Sequence, residues 1–292
     1  MISIALASNN NYAVLMAALI KSIIFNHHGN QPVTFYVLND NISNASQKKI
    51  NSLTGNSPKY QIVWKTAKEV FPANVRFPMD SSAFPFTAYL RLFAPFVVPK
   101  DVKKLIYFDV DMIVTADVEE LWEKDMLGYT MAAVLDVGKT AGCKWGGIPN
   151  YKDLGINANA PYFNSGMMLI DCEKWIAEDI PNKVFKAMRE NIAHVNYADQ
   201  YGLNVVFTGK WLQIDPMWNW FANNYHPNPK CIHYLDIKPI FKSYNSDQVL
   251  RKEFFKYLEM TPWQGMPLKS DFSRLMTKAI TKLKKKVKSV FS

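Results

Sequence analysis

Cysteine is scarce in this 292-residue chain. Cys143, Cys172 and Cys231 are odd in number, far apart and without CxxC spacing. They offer neither a disulfide framework nor a zinc site, and a reducing cytoplasm fits them best. Long apolar runs are missing too: a spanning helix needs about 20 such residues, and no stretch approaches that. Met1 to Ala7 is apolar but has no basic leader and runs straight into Ser8-Asn-Asn-Asn11, the pattern of a strand and its turn rather than a signal peptide. No Gly-x-Gly-x-x-Gly loop follows that strand, so the dinucleotide fingerprint is absent. Acidic residues are outnumbered 25 to 34, a formal net charge of +9, but the imbalance is local. Residues 269–292 hold eight Lys or Arg against one Asp, a balance of +7 that leaves only +2 for residues 1–268. A nucleic-acid footprint spreads over a folded face, so no nucleic-acid partner is expected.

What is present describes a packed α/β protein. Apolar residues make up 49% and aromatics 14%, which excludes a disordered chain. Ile2 to Ala7 reads as a strand, and the polar cluster after it caps a helical pattern with Leu15, Leu19, Ile23 and Ile24 on one face. Val33 to Leu38 is the next strand, Ser43 caps a polar helix to about Leu53, and Tyr60 to Trp64 is a third strand. Strand, helix, strand, helix, strand predicts a parallel sheet with ligand sites at the carboxyl ends of its strands. A Pro-rich irregular loop, Phe71 to Phe86, precedes a helix from Thr87 to Phe96 that carries Arg91.

The chain is organised around Lys104-Leu-Ile-Tyr-Phe-Asp-Val-Asp-Met-Ile-Val114, an apolar run interrupted only by Asp109 and Asp111. The run reads as one buried central strand. Ionised Asp is rarely buried without a partner, and two at i and i+2 face the same side and repel. A hard divalent cation resolves the conflict; magnesium and manganese accept oxygen donors and leave positions for phosphates. The alternative is a strand that has ended, with both side chains in a solvated turn.

Further along, Thr130 to Val137 is a strand followed by a long loop, Gly138 to Pro161, of the length seen in lids and binding loops. Tyr162-Phe-Asn-Ser-Gly166 leads into the strand Met167 to Ile170; its Gly permits close backbone approach, and Asn164 suits sugar hydroxyls. Glu173 to Met188 is helical with a break near Pro181, Asp199 opens the next helix, and Trp211 to Ile214 is a short strand. Pro216 to Phe221 is an aromatic corner assigned to packing. His233, in Lys230-Cys-Ile-His-Tyr-Leu-Asp-Ile-Lys-Pro239, is either a core histidine or the third ligand beside Asp109 and Asp111, with Lys238 near a phosphate. Last, Phe272, Leu275, Met276, Ala279, Ile280, Leu283, Val287, Val290 and Phe291 recur at three- and four-residue spacing among lysines. That pattern reads as a basic amphipathic helix of the kind that lies on anionic membranes, the alternatives being a helix docked on the body or a coil.

Seven ordered motifs together resemble glycosyltransferase family 8, the retaining transferases that include bacterial lipopolysaccharide and lipooligosaccharide galactosyl- and glucosyltransferases. They are Ala7-Ser-Asn-Asn-Asn-Tyr12, Tyr89-Leu-Arg-Leu92, Tyr107-Phe-Asp-Val-Asp111, Tyr162 to Gly166, Asp199-Gln200 with Leu203-Asn204, His233-Tyr234 with Lys238-Pro239, and Thr261-Pro-Trp263. The resemblance spans about residues 2 to 263. It implies a single α/β nucleotide-diphospho-sugar transferase domain, GT-A-like and Rossmann-related, with a mixed central sheet over 1–268 and the basic tail over 269–292. It also implies manganese or magnesium on Asp109, Asp111 and His233, and a UDP-sugar donor. Ala7, Asn9 and Asn11 would border the uridine, Asp109 would lie near the ribose, Lys238 would meet the diphosphate, and Arg91, Asn164, Asp199 and Gln200 would surround the sugar. The acceptor would be a glycan or glycolipid, and the setting the inner face of the cell membrane.

The chain departs from the family pattern in three places. Asn9 stands where Asp is frequent, and Tyr201 follows Asp199-Gln200 where a carboxylate sometimes proposed as nucleophile is frequent. The loop His-x-x-Gly-x-x-Lys-Pro-Trp is one residue shorter, with Asp236 for Gly and Ile240 for Trp. Two other readings remain open on sequence: a non-catalytic UDP-sugar-binding relative, and a haloacid-dehalogenase-type phosphatase, whose first motif Phe108 to Val114 resembles.

Overall fold

Strand and helix alternate through the first third of the chain, and the sheet follows from that order. The computed structural model describes residues 1–72, 75–78, 80, 84–272, 275 and 276. The strands are β1 (Ile2–Asn9), β2 (Val33–Asp40), β3 (Tyr60–Thr66), β4 (Lys104–Asp109), β5 (Met112–Val114), β6 (Met131–Thr140), β7 (Pro161–Asp171), β8 (Leu212–Gln213), β9 (Trp220–Phe221) and β10 (Cys231–His233). Seven form one sheet in the order β3-β2-β1-β4-β7-β6-β8, and the other three form a small sheet, β5-β10-β9. β3, β2, β1 and β4 run parallel, whereas β7 is antiparallel to both β4 and β6, so the central sheet is mixed as expected.

Both faces of the large sheet are covered. Ile2, Ile4 and Leu6 of β1 enter one apolar core, while Ala5 and Ala7 enter the other. The helix Ala13–Asn26 is apolar nearly all round because it lies between layers. Ala13, Met16 and Leu19 pack toward the large sheet, and Val14, Leu15 and Ala18 meet Ile113, Ile232 and Phe254 on the other side. Among the described residues no helix is long and apolar enough to cross a membrane.

The run Lys104 to Val114 is not one strand. β4 ends at Asp109, the chain turns through Val110 and Asp111, and β5 joins the other sheet. Apolarity persists through the turn because the run crosses from one buried sheet to another, so composition alone could not show the break. Thr87 to Phe96 is also not a single α-helix: a 3-10 helix covers Phe86–Phe93 and an α-helical turn Ala94–Val97. The break expected near Pro181 is present: the segment forms two helices, Cys172–Ala177 and Ile180–Glu190, with Asp179 at φ 51° between them. Of the basic tail, residues 273, 274 and 277–292 lie outside the described residues. Lys269 still pairs with Ile240 through the backbone, 2.8 Å N to O.

Candidate active site

In the order 3-2-1-4 the sheet reverses its direction of growth at β1, and a crevice opens beyond the carboxyl ends of strands at such a point. A cavity of about 380 Å³ occupies this place. Ala7, Ser8 and Asn9 of β1 form one wall, and Tyr107 and Asp109 of β4 form another. Arg91 enters from the 3-10 helix, and Asp111, Asp236 and Lys238 close the far side.

The strand break separates the partners of the two carboxylates. Asp109, at the end of β4, accepts from Tyr107 Oη at 2.8 Å and pairs with Arg91 Nη1 at 3.1 Å. Arg91 is buried, stacks 4.9 Å from the Tyr107 ring, and brings Nε within 3.0 Å of Asp199 Oδ2. That Nε–H is directed instead at the Ala88 carbonyl, 3.0 Å away, so the buried Asp199 Oδ2 keeps its charge contact without a hydrogen bond. Burial raises the Asp199 carboxyl to about 6; Arg91 opposes the shift and Asp109 adds to it.

Asp111 faces other groups. Its Oδ2 lies 2.6 Å from Lys238 Nζ, and its Oδ1 lies 3.4 Å from His233 Nε2. Burial alone would raise this carboxyl, but Lys238 and His233 outweigh it and hold Asp111 well below the usual carboxylate range. His233 arrives by sheet register: β10 pairs antiparallel with β5, His233 opposite Met112, and Tyr234 N donates to Asp111 O at 3.0 Å. Asp109, Asp111 and His233 thus bring ligand atoms within 4.8 Å of one another.

A second group, His27, Asp117 and Glu119, meets the same spacing. It is a helix cap. Asp117 accepts from His28 N, Gly29 N and Glu119 N at 2.7, 2.9 and 2.9 Å, and its Oδ1 also lies 2.7 Å from His27 Nδ1. These contacts occupy Asp117, and His27 Nε2 lies 2.8 Å from the Gln31 carbonyl, whereas Glu119 Oε2 is buried without a hydrogen-bond partner.

The residues expected around a sugar form one connected group. Gln200 accepts from Ser165 N at 3.0 Å and reaches Asp136 Oδ2 and Tyr162 Oη at 3.3 Å each. Asn164 donates to the same Asp136 oxygen at 2.8 Å and accepts from Gly166 N at 3.0 Å. A Cβ added to Gly166 would come within 2.5 Å of His233 Cε1, so the glycine is required by close approach of the imidazole.

The structure brings Ala7, Asn9, Arg91, Asp109, Asp111 and Lys238 together on the cavity wall, with Asn164, Asp199, Gln200 and His233 behind them. Asn11 lies in the exposed turn after β1, donates its backbone N–H to Asn9 Oδ1 at 3.0 Å, and is replaced on the wall by Tyr12. Tyr201 points into the core and donates to Asn150 Oδ1 at 2.8 Å. Asp236 has φ 54°, a left-handed conformation that Gly adopts without strain and Asp tolerates better than most residues. Sequence reasoning missed Asp136, Ser165 and Asn219. Asp136 closes a strand pattern and had a signal to offer; Asn219 sits in an aromatic corner and had none.

The sequence profile described as Glycosyl transferase family 8 matches residues 3–249. The chain is 26% identical over 281 residues to general stress protein A of Bacillus subtilis, covering 88% of this chain and 92% of the relative. It is 30% identical over 248 residues to glycosyltransferase GlyF of Streptococcus pneumoniae, covering 84% of this chain and 56% of that one. Among solved structures, galactosyltransferase LgtC in complex with donor and acceptor sugar analogs superposes with a TM-score of 0.73 at 23% identity, over 90% of this chain and 99% of that one. The apo bifunctional glycosyltransferase WbbM gives 0.73 at 20% identity, over 90% of this chain and 50% of its own.

Proposed function

This chain belongs to glycosyl transferase family 8, and from that membership we propose that it transfers a hexose, galactose or glucose, from a UDP-sugar to a lipid-linked glycan such as lipopolysaccharide, retaining the anomeric configuration. The observation that carries this reading is the convergence of Asp109, Asp111, His233, Lys238 and Arg91 at the sheet's switch point. That arrangement serves a diphosphate, which needs positive charge, beside a sugar, which needs directed hydrogen-bond partners. Family membership leaves the phosphatase reading without support.

The donor set fits a divalent cation. Two ligands about 2.1 Å from one ion at right angles sit roughly 3 Å apart, and His233 Nε2 and Asp111 Oδ1 are separated by 3.4 Å. Asp109, Asp111 and His233 would hold manganese or magnesium, which neutralises charge gathering on the diphosphate as it leaves. Lys238 adds a second positive charge at the same place, and Ala7 and Asn9 border the uridine. We place the sugar near Asp199, whose Oδ2 has no hydrogen-bond partner, and near Asn164 and Gln200.

For retention, a double displacement needs a nucleophile on the protein. Gln200 is a weak one, both ends of its amide already hold partners, and Tyr201 is turned into the core. Front-face attack therefore fits better. The acceptor oxygen bonds to the anomeric carbon as the bond to the diphosphate oxygen breaks, and that departing oxygen takes the acceptor's proton. We assign catalysis to residues 1–268 and membrane contact to 269–292, at the inner face of the cell membrane. Phe272, Leu275 and Met276, at the start of the tail pattern, are exposed.

Hydrolysis of a panel of UDP-sugars, with and without manganese, tests the reading against Asp111→Ala. Manganese-dependent release of UDP from one sugar, lost in the variant, is the expected result and names the donor. Metal-dependent UDP binding without turnover, even with glycolipid acceptors supplied, would favour a non-catalytic relative.

A further inference from the structure

Asn219 lies between the proposed metal group and the sugar-side group, and belongs to neither. It ends the 3-10 helix Pro216–Asn219, immediately before β9, which runs parallel to β10 with Phe221 opposite His233. Asn219, Asn164 and His233 are 1%, 6% and 3% exposed, so none of their polar groups has water as an easy alternative partner.

The direction of every hydrogen bond in this chain of side chains follows from its two ends. Asp136 can only accept, so Asn164 must present Nδ2 to it at 2.8 Å. Gly166 N–H can only donate, so Asn164 must present Oδ1 to it at 3.0 Å. A flipped Asn164 would set acceptor against acceptor at Asp136 and donor against donor at Gly166. Asn219 also meets Asn164 Oδ1, at 3.0 Å, and must therefore offer its Nδ2. Its Oδ1 is left facing His233 Nδ1 at 3.0 Å, and that nitrogen must carry a proton. Where the ring is neutral the lone pair then sits on Nε2, the atom 3.4 Å from Asp111; in the charged ring, the form that helps hold Asp111 ionised, both nitrogens carry protons.

We infer that Asn219 is a positioning residue that fixes His233 as an Nε2 ligand and ties the metal group's geometry to Asn164 on the sugar side. This assignment rests on the metal reading above, but its first consequence, the tautomer, does not need a metal. Ligating histidines commonly have the other nitrogen held by a carbonyl or carboxylate, and losing that partner weakens metal binding roughly 10- to 100-fold.

The tautomer is read in wild-type protein by nitrogen-15 NMR of the histidine rings, assigned by His233→Gln and recorded where the ring is neutral. Protonated Nδ1 with a bare Nε2 is expected; a proton on Nε2 instead would overturn the assignment with no variant involved. Manganese binding is then followed by electron paramagnetic resonance, with circular dichroism as the folding control. Asn219→Leu should weaken binding roughly 10- to 100-fold. Asn219→Asp, which still accepts from Nδ1–H but cannot donate to Asn164, should recover most of it. Equal affinity in Asn219→Leu and wild type would overturn the positioning role. If wild type has the expected tautomer but binds no manganese, the metal reading fails and the hydrogen-bond order stands.

Discussion

Arg91 stands between two carboxylates, and its single guanidinium is divided between them. Nη1 pairs with Asp109 while Asp199 receives charge but no hydrogen bond, and burial leaves the Asp199 carboxyl at about 6. The pH consequence has a definite sign. A carboxyl whose folded value lies above its unfolded value of about 3.9 binds more protons when folded, so its contribution to stability falls as pH rises between the two. Asp199→Asn removes that term. The variant should gain stability relative to wild type between about pH 4 and pH 6, by up to about 3 kcal/mol, and keep a constant difference above pH 7. Urea unfolding of both proteins at four pH values measures it. Parallel stability curves would mean that Asp199 titrates near its ordinary value and that Arg91 serves it as well as Asp109. The same substitution keeps the size of the side chain and one acceptor oxygen, so a loss of donor turnover would report the missing charge rather than a collapsed site.

At the scale of elements, the small sheet is what delivers His233, and β7 is shaped to receive it. The pairing of β6 with β7 shifts register between Ala133 and Val134, which pair with Met168 and Asn164, and Gly166 lies in the irregular segment between those partners. Gly166→Ala would put a methyl group 2.5 Å from His233 Cε1 and 2.8 Å from Asn164 Oδ1, both held by hydrogen bonds. Overpacking of this kind costs about 1 to 3 kcal/mol. Manganese affinity should fall at least tenfold, since the ring must move to admit the methyl; calorimetric titration against wild type would show it, and an unchanged affinity would mean the ring has room. The need for Gly166 was legible from sequence as close backbone approach, but the approaching group was not. β1, β2 and β3 were legible because period and polar caps mark them. The separation of β4 from β5 was not, because Met112, Ile113 and Val114 are as apolar as the strand before them and only their partners differ. Asn219 was invisible for a related reason: a buried amide takes its meaning from what it faces, and its neighbours in sequence, Trp218 and Trp220, suggest only packing.

At the scale of the whole molecule, the net positive charge is concentrated in residues 269–292. The body, residues 1–268, has a net charge of only +2, and the cavity balances Asp109, Asp111 and Asp199 largely with Arg91 and Lys238. The remaining +7 belongs to 269–292, beginning where Lys269 is still bound to Ile240 and Phe272 is 73% exposed. Each lysine near an anionic surface contributes about 1 kcal/mol, and the effect decays within a Debye length, about 8 Å at physiological ionic strength. Attraction of that origin weakens as salt is added, whereas apolar burial does not. Deleting 277–292 removes six of the eight basic residues and leaves every cavity residue in place. The truncated protein should therefore release UDP from the preferred donor in solution at the wild-type rate, yet fail to sediment with vesicles rich in anionic lipid. Full-length protein should sediment at low salt and be largely released near 1 M. Binding to neutral vesicles as strong as to anionic ones would assign the tail to apolar anchoring alone. A truncated protein that sediments like wild type would move the membrane-facing surface onto the folded body.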